Sequence, residues 1–340
     1  MLTTKQKVLR RFWYATVPMA ALKSGPQPFT LMGEPIVLFL DAEGRPAALE
    51  DRCCHRTARL SKGWVDQGEL TCGYHGWTYD AHGKLLRIPQ LPIDAPVPAY
   101  SVRAFHAAER YGYVWVALDE PLAPIVDIPE DGTPGWRRIH QFDDVWHTAP
   151  LRLMENSFDN AHFSFVHKGT FGDMNQPKPE KYEVQETDYG FYATTVIKIL
   201  NPPIAHQVTG TRDPETTRTM RNHWYRPFCR RLDIEYPSGI RHIIINSATP
   251  IDDGSIRLVQ LLFRNDTEAD CPAQKLIEWD AAIIAEDRDI LESTDCDAML
   301  AGDTPRERHM PSDRPGMIMR RQLLALLAEH GESEVVREAA

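Results

Sequence analysis

The sequence predicts an α+β chain in which a small β-rich domain precedes a larger domain with an antiparallel sheet flanked by helices. Two observations support this order. Short apolar runs separated by turn residues fill the first third, and sustained helical periodicity begins only after Pro272. Residues 119–135 contain four prolines among acidic residues, which is typical of a linker. We therefore expect domains at residues 1–125 and 126–340.

Three segments define the first domain. Residues 36–40 and 47–49 are apolar runs on either side of a turn, which predicts a hairpin. Residues 78–86 repeat this pattern. Residues 111–118 are rich in aromatic and β-branched side chains and predict a buried strand.

The second domain begins with a predicted helix around Asp159. Strands are predicted later in this domain, and the polar segment between the first two of them predicts a surface loop, with a mobile cover over a pocket as the alternative. Apolar pairs that recur every two helical turns after Pro272 predict a long helix, and a second amphipathic helix follows. The strands are expected at 191–200, 241–248 and 255–263, the last two as a hairpin, the loop at 201–222, and the second helix at 322–330.

Composition excludes several classes of protein. The 340 residues carry a net charge of -10, which argues against nucleic acid as the main partner. No segment approaches the roughly 20 apolar residues of a membrane span. A basic run before residues 12–22 resembles a secretion signal, but Trp13, Tyr14 and Pro18 interrupt the apolar stretch. We therefore expect a cytoplasmic chain, in which the clustered cysteines favour metal over disulfides.

Residues 155–167 read E-N-S-F-D-N-A-H-F-S-F-V-H and concentrate acids and imidazoles. Asp159 and His162 are three apart and would share a helix face. His162 and His167 are five apart, so both reach one metal only if the helix ends or distorts between them, and Gly169 suits such an ending. Two histidines and one carboxylate are the ligands of many non-haem Fe(II) oxygenases.

A second group of potential metal ligands lies earlier in the chain. Cys53 and His55 form Cys-x-His, and Cys72 and His75 form Cys-x-x-His. Two such loops can hold a 2Fe-2S cluster of the Rieske type, in which two histidines replace two cysteines on one iron. A structural zinc site is the alternative, although zinc motifs usually pair cysteines with each other. The colour of the protein distinguishes the two, because only the cluster is reddish brown.

With Arg56 after the first motif and Gly76-Trp77 after the second, the sequence resembles the oxygenase component of Rieske non-haem iron oxygenases over essentially its whole length. Cys54 and Gly73 stand where members of this family often carry proline. The family's iron motif, D/E-N-x-x-D-x-x-H-x4-H, is matched by Glu155, Asn156, Asp159, His162 and His167.

The resemblance also implies a third iron ligand on a downstream helix. Asp287 is the first choice, Asp289 the second and Glu286 the third. Asn156 is expected near the open coordination positions, with capping of local backbone as the alternative.

The family's quaternary structure has a consequence for electron transfer. The resemblance implies a ring-shaped homotrimer in which the cluster of one subunit lies beside the iron of its neighbour. Asp159 would then bridge His75 of one subunit and His162 of the next, with an ordinary surface ion pair as the alternative role. No Gly-rich dinucleotide motif is present, so electrons from NAD(P)H are expected through a separate reductase or ferredoxin.

Within this family the chain most resembles the small monooxygenases and demethylases. The resemblance implies that O2 is used to hydroxylate, or to O- or N-demethylate, a small aromatic or heterocyclic substrate. An arene cis-dihydroxylase is the alternative enzyme, a Rieske electron carrier is the alternative class, and a zinc hydrolase is more remote. His206, His223 and His242 are interpreted as ordinary polar or core histidines.

Overall fold

The fold is described from a computed structural model, which describes residues 1–92, 94–296, 298–301 and 307–337. The chain forms two compact units. The smaller unit comprises Lys7–Ile125 and Ile251–Asp253, and the larger unit comprises Met1–Gln6, Val126–Pro250 and Gly254–Ala340. Among the described residues, no helix has both the length and the apolar character needed to cross a bilayer.

The smaller unit contains two antiparallel sheets. One has six strands in the order β1-β10-β9-β4-β3-β2, and the other has four in the order β5-β6-β7-β8. Short 3-10 helices occur at Lys7–Arg11, Met19–Ser24 and Leu60–Lys62. The strands are β1 (Tyr14–Pro18), β2 (Gln27–Leu31), β3 (Glu34–Leu40), β4 (Pro46–Glu50), β5 (Trp64–Asp66), β6 (Glu69–Thr71), β7 (Thr78–Tyr79), β8 (Leu85–Arg87), β9 (Ala104–Arg110) and β10 (Tyr113–Ala117).

The predicted elements of this unit are confirmed. β3 and β4 pair as a hairpin, β7 and β8 pair as a second one, and every residue of β10 is buried. Each hairpin turn is closed by an aspartate, because Asp41 and Asp80 each accept backbone N–H groups from the residues that follow. The short β-type runs of the sequence therefore correspond to real strands.

The larger unit is a seven-stranded antiparallel sheet with helices, in the order β11-β17-β16-β15-β14-β13-β12. Further 3-10 helices lie at Thr3–Lys5, His167–Gly169, Pro203–Ala205 and Pro311–Asp313. The strands are β11 (Arg137–Trp146), β12 (Glu183–Thr187), β13 (Gly190–Leu200), β14 (Glu215–Tyr225), β15 (Cys229–Glu235), β16 (Arg241–Pro250) and β17 (Ile256–Arg264), and the helices are α1 (Pro150–Asn156), α2 (Phe163–Val166), α3 (His206–Thr209), α4 (Ala273–Leu291) and α5 (Arg314–Glu329).

Helix α4 carries the downstream acids to the sheet. Its apolar side buries Leu276 and Trp279 against Ile139 of β11 and Leu262 of β17. This packing fixes the rotation of α4, so the acids two turns later face α1 and α2, on which α4 also packs. The long helix predicted after Pro272 and the hairpin of β16 and β17 are both confirmed.

Two predictions for this unit are wrong in part. The segment 201–222, predicted as a loop, contains most of β14, whose residues alternate between buried and less buried. The alternation was hidden because Thr216, Arg218 and Asn222, which are polar, face inward. The helix predicted around Asp159 is also absent, since α1 ends at Asn156 and turns follow.

Candidate metal centres

The two loops that carry the cysteine motifs share one backbone arrangement. In each loop the cysteine N–H donates to the carbonyl five residues later at 2.8 Å, and the cysteine carbonyl accepts from the N–H four residues later at 3.0 Å. That fourth residue, Thr57 in one loop and Gly76 in the other, has a positive φ. Cys53 and Cys72 therefore occupy equivalent positions in a pair of matching turns.

The four candidate metal ligands of these loops lie close together. The two thiols are buried, and the two imidazoles lie near the protein surface. Cys53 and Cys72 are 2% and 1% exposed, and burial together with the adjacent Cys53 raises the pKa of the Cys72 thiol. The rings of His55 and His75 lie 4.6 Å apart near the surface, and Trp77 stacks on His55. A paired set of two thiols and two imidazoles fits the ligand set of a Rieske 2Fe-2S cluster.

Tyr79 places a hydroxyl between two sulfur atoms. Its oxygen lies 3.1 Å from Cys53 Sγ and 3.3 Å from Cys54 Sγ, and the side chain is fully buried. Burial raises the pKa of Tyr79, so the hydroxyl keeps its proton and can donate to a thiolate.

Replacing Tyr79 with phenylalanine should lower the reduction potential of the cluster. Hydrogen bonds to cluster sulfurs raise the potential because they stabilise the added electron. One such bond is worth about 1 kcal/mol, which corresponds to about 40 mV for one electron. A redox titration followed by visible absorbance measures the shift, and Cys54→Ala is the matched control, expected to change the potential little. A shift in the control and none in Tyr79→Phe would contradict this role.

The second centre begins at a break between α1 and α2. Asp159 lies in the intervening turns, where its Oδ1 accepts the N–H of Ala161 at 2.7 Å and its Oδ2 lies 3.2 Å from His162 Nδ1. α2 ends at Val166, and His167 starts a 3-10 turn. The distortion that the five-residue spacing requires between the two histidines is therefore present.

Three side chains converge at this break. The Nε2 atoms of His162 and His167 are 3.2 Å apart, and each lies 3.4 Å from Asp287 Oδ1. Among the described residues these three form the group of histidine, cysteine and acid side chains that could hold one metal ion. Two imidazoles and one carboxylate are a ligand set that suits Fe(II), so the residues present fit the metal that the motif implies.

Burial sets the electrostatics of this triad. Desolvation, helped by the nearby His162 and Arg218, lowers the pKa of His167 to about 3, so the ring is neutral and can offer a lone pair. Desolvation also raises the pKa of Asp287, which is 7% exposed. A bound cation would stabilise this carboxylate in its charged form.

The other two downstream acids occupy different positions. Asp289 is exposed. Glu286 Oε2 lies 3.0 Å from His167 Nδ1, the ring nitrogen that faces away from the triad, and also accepts from the Thr170 hydroxyl. A Cβ at Gly169 would lie 2.5 Å from Glu286 Oε1, so glycine leaves this carboxylate free to stay in place. This positioning role of Glu286 is not predicted from the sequence, where its only signal is that Glu286 stands next to Asp287.

Asn156 also contacts the triad. Its Nδ2 donates to Asp287 Oδ1 at 3.0 Å, which orients the carboxylate from the end of α1. It is one of the residues that line an adjoining cavity, with an empty volume of about 770 Å³ that includes its open mouth. The apolar part of the cavity wall includes Phe171, Met220, Leu232, Ile234, Ile283 and Ile284.

A hydrogen-bonded chain of polar side chains supports part of the cavity wall, which its members Asn246, Gln260 and Asp280 line. Asp280 accepts from Gln141 at 2.5 Å, Gln141 accepts from Gln260 at 2.6 Å, and Gln260 accepts from Asn246 at 2.6 Å. Because the carboxylate only accepts, it fixes the direction of each amide. His242 Nε2 lies 3.0 Å from Asp280 Oδ2, but His242 itself does not line the cavity. His206 and His223 do not line the cavity either.

Comparison with known protein families supports both centres. The model of the Rieske [2Fe-2S] domain matches residues 12–101, and the model of the vanillate O-demethylase oxygenase C-terminal domain matches residues 146–329. The first range contains both cysteine loops, and the second contains the triad and the cavity.

Individual relatives cover most of the chain. Methylxanthine N1-demethylase NdmA of Pseudomonas putida is 28% identical over 306 residues, which are 86% of this chain and 83% of that protein. Methylxanthine N3-demethylase NdmB of the same organism is 27% identical, over 84% of this chain and 81% of its own.

Solved structures have the same fold. A variant of NdmA with theobromine has a TM-score of 0.82 at 25% identity and covers 99% of both chains. Dicamba monooxygenase bound to dicamba has a TM-score of 0.78 at 22% identity, over 95% of this chain and 98% of that chain, a likeness of fold alone. With a Rieske domain followed by a vanillate O-demethylase type oxygenase domain, the chain belongs to the Rieske non-haem iron oxygenases and is an oxidoreductase.

Proposed function

We propose that the chain is the terminal oxygenase of a monooxygenase system that hydroxylates, or removes an O- or N-methyl group from, a small aromatic or heterocyclic compound. The observation that carries this proposal is the convergence of His162, His167 and Asp287 at the wall of a mainly apolar cavity. A pure electron carrier has no need for such a cavity beside a second metal site.

The geometry of the two centres supports the following ligand roles. His162, His167 and Asp287 would hold Fe(II), and the two cysteine loops would hold the 2Fe-2S cluster through Cys53, His55, Cys72 and His75. When bound, the metals supply O2 activation and single-electron transfer, with electrons from NAD(P)H through a reductase or ferredoxin. Around them, Glu286 and Asn156 orient the ligands, and the apolar wall excludes water.

Asp159 is proposed as the link between subunits of a homotrimer. Its carboxylate holds His162 Nδ1, and its side chain remains 31% exposed, so a second imidazole can reach it from outside. We propose that this imidazole is His75 of the partner subunit, whose ring is partly exposed in its own loop. We also propose a cytoplasmic location, where the reduced cofactor is available.

Product analysis tests the reaction type. Demethylation converts one methyl group, O2, NAD(P)H and a proton into formaldehyde, water, NAD(P)⁺ and the free hydroxyl or amine. Purified chain with a surrogate reductase should form formaldehyde or an alcohol in step with NADH use. A cis-diol product would indicate the dihydroxylase alternative, and about two irons per chain instead of about three would indicate a carrier.

A further inference from the structure

Arg218 is a buried cation without a polar partner. It lies on β14, is 4% exposed and lines the cavity next to the triad. Its guanidinium carbon lies 4.3 Å from the centre of the Phe171 ring. Within the described part of the chain no group pairs with it as an ion or accepts a hydrogen bond from it, and its Nε is buried and unsatisfied. Buried arginines are normally paired, so this group is suited to an acceptor that the chain itself does not supply.

Arg230 adds a second cation to the same cavity. It lies on β15, and its Nε donates to Asn222 Oδ1 at 3.0 Å. Burial lowers the pKa of Arg230 to about 10, so it remains charged at neutral pH. As with Arg218, no ion pair links it to any described residue.

The two carboxylates that line the cavity do not pair with these arginines. Asp287 faces the proposed metal, and Asp280 accepts from Gln141 and from His242. His242 receives a hydrogen bond at Nδ1 from Arg264, so its Nε2 carries the proton and the ring is neutral. Neither of these carboxylates is therefore a partner of Arg218, whose buried Nε remains available to an external acceptor.

We propose that the substrate is a small aromatic acid whose anionic group binds Arg218. This inference rests on the proposed function and names the substrate class for the same cavity. The Phe171 ring contacts both groups, with its centre 4.3 Å from the Arg218 guanidinium carbon and 4.7 Å from the centre of the His167 ring. Because Arg218 and the triad line the same cavity, a substrate whose anionic group binds Arg218 would hold its ring in the space that the triad also lines. Ile234 and Ile283 supply apolar contacts for the ring.

Direct binding tests this assignment without turnover. Calorimetric titration of the anaerobic holoenzyme, with no reductant, compares 4-methoxybenzoate with 4-methoxybenzamide, which has similar shape and no charge. The acid should bind roughly 10- to 100-fold more tightly than the amide. Arg218→Gln should abolish this preference with less than about threefold change for the amide, and Arg218→Lys should restore part of it.

Arg221→Gln is the matched control for these variants. Arg221 lies on the same strand, but its guanidinium pairs with Glu235 and it does not line the cavity. Its replacement should leave both affinities unchanged, and circular dichroism and iron content verify that each variant is folded and loaded.

Three outcomes would overturn the assignment: equal binding of acid and amide, an acid preference that survives Arg218→Gln, or no binding of any benzoate while neutral methylated heterocycles bind. Failure of the proposed function can be distinguished from failure of this substrate assignment. If acids bind through Arg218 but neither they nor neutral compounds yield oxygenated product, the function is wrong and the binding site stands. If a neutral compound is demethylated and acids do not bind, the function stands and the assignment is wrong.

Discussion

Replacing Asp287 with alanine should abolish product formation and remove the mononuclear iron. The side chain brings one oxygen to within 3.4 Å of both histidine nitrogens, and the rest of the wall offers no other carboxylate at that point. Loss of an outer-shell partner typically costs 10- to 100-fold, so loss of a direct ligand should cost more. Iron analysis should fall from about three atoms per chain to about two, while the visible spectrum of the cluster is unchanged.

Asp289→Ala provides the matched control for that experiment. Asp289 lies two residues further along α4 and is exposed, so its replacement should leave iron content and turnover intact. The opposite pattern, with iron lost from Asp289→Ala and kept by Asp287→Ala, would contradict the ligand set proposed from the triad.

Asp159→Ala should separate electron transfer from metal binding. The variant should retain the cluster and the mononuclear iron, because Asp159 belongs to neither ligand set. Product formation should fall about 10- to 100-fold, since the variant lacks the carboxylate that fixes His162 Nδ1 and that, in the proposed trimer, would bridge to His75 of the partner subunit. Stopped-flow reoxidation of the reduced cluster, with substrate and O2 present, measures the affected step.

The Asp159→Asn variant distinguishes the proposed bridging role of Asp159 from its role in closing the local turn. The amide oxygen can still accept the Ala161 N–H that closes the turn, but the side chain carries no charge and can no longer accept from two imidazoles. A reoxidation rate equal to wild type in both variants, or a loss of iron as large as in Asp287→Ala, would be incompatible with the bridging role.

The elements best predicted from the sequence depend on local patterns. The hairpin turns at Asp41 and Asp80, the break before His167 and the helix after Pro272 all follow from residues close together in the chain. The triad is different, because Asp287 comes from a helix 120 residues after His167, and only the family resemblance singled it out among three nearby acids.

The failures also have a physical cause. The pattern of residues 201–222 predicts a loop although most of β14 lies there, because the inward face of β14 carries Arg218 and Asn222, which belong to the cavity and its surroundings rather than to an apolar core. Polar side chains placed for binding disrupt the period that identifies a strand. The spacing of Asp159 and His162 predicts a helix, but a turn can also bring residues i and i+3 together, as it does here.

The close approach of Glu286 to Gly169 restricts how this protein can diverge over evolution. A methyl group at position 169 would lie 2.5 Å from the Glu286 carboxylate, so this side chain, which holds His167, would have to shift to admit it. Descendants with alanine or serine at 169 should therefore carry either a shorter acid at 286 or a glutamate whose carboxylate has moved away from position 169.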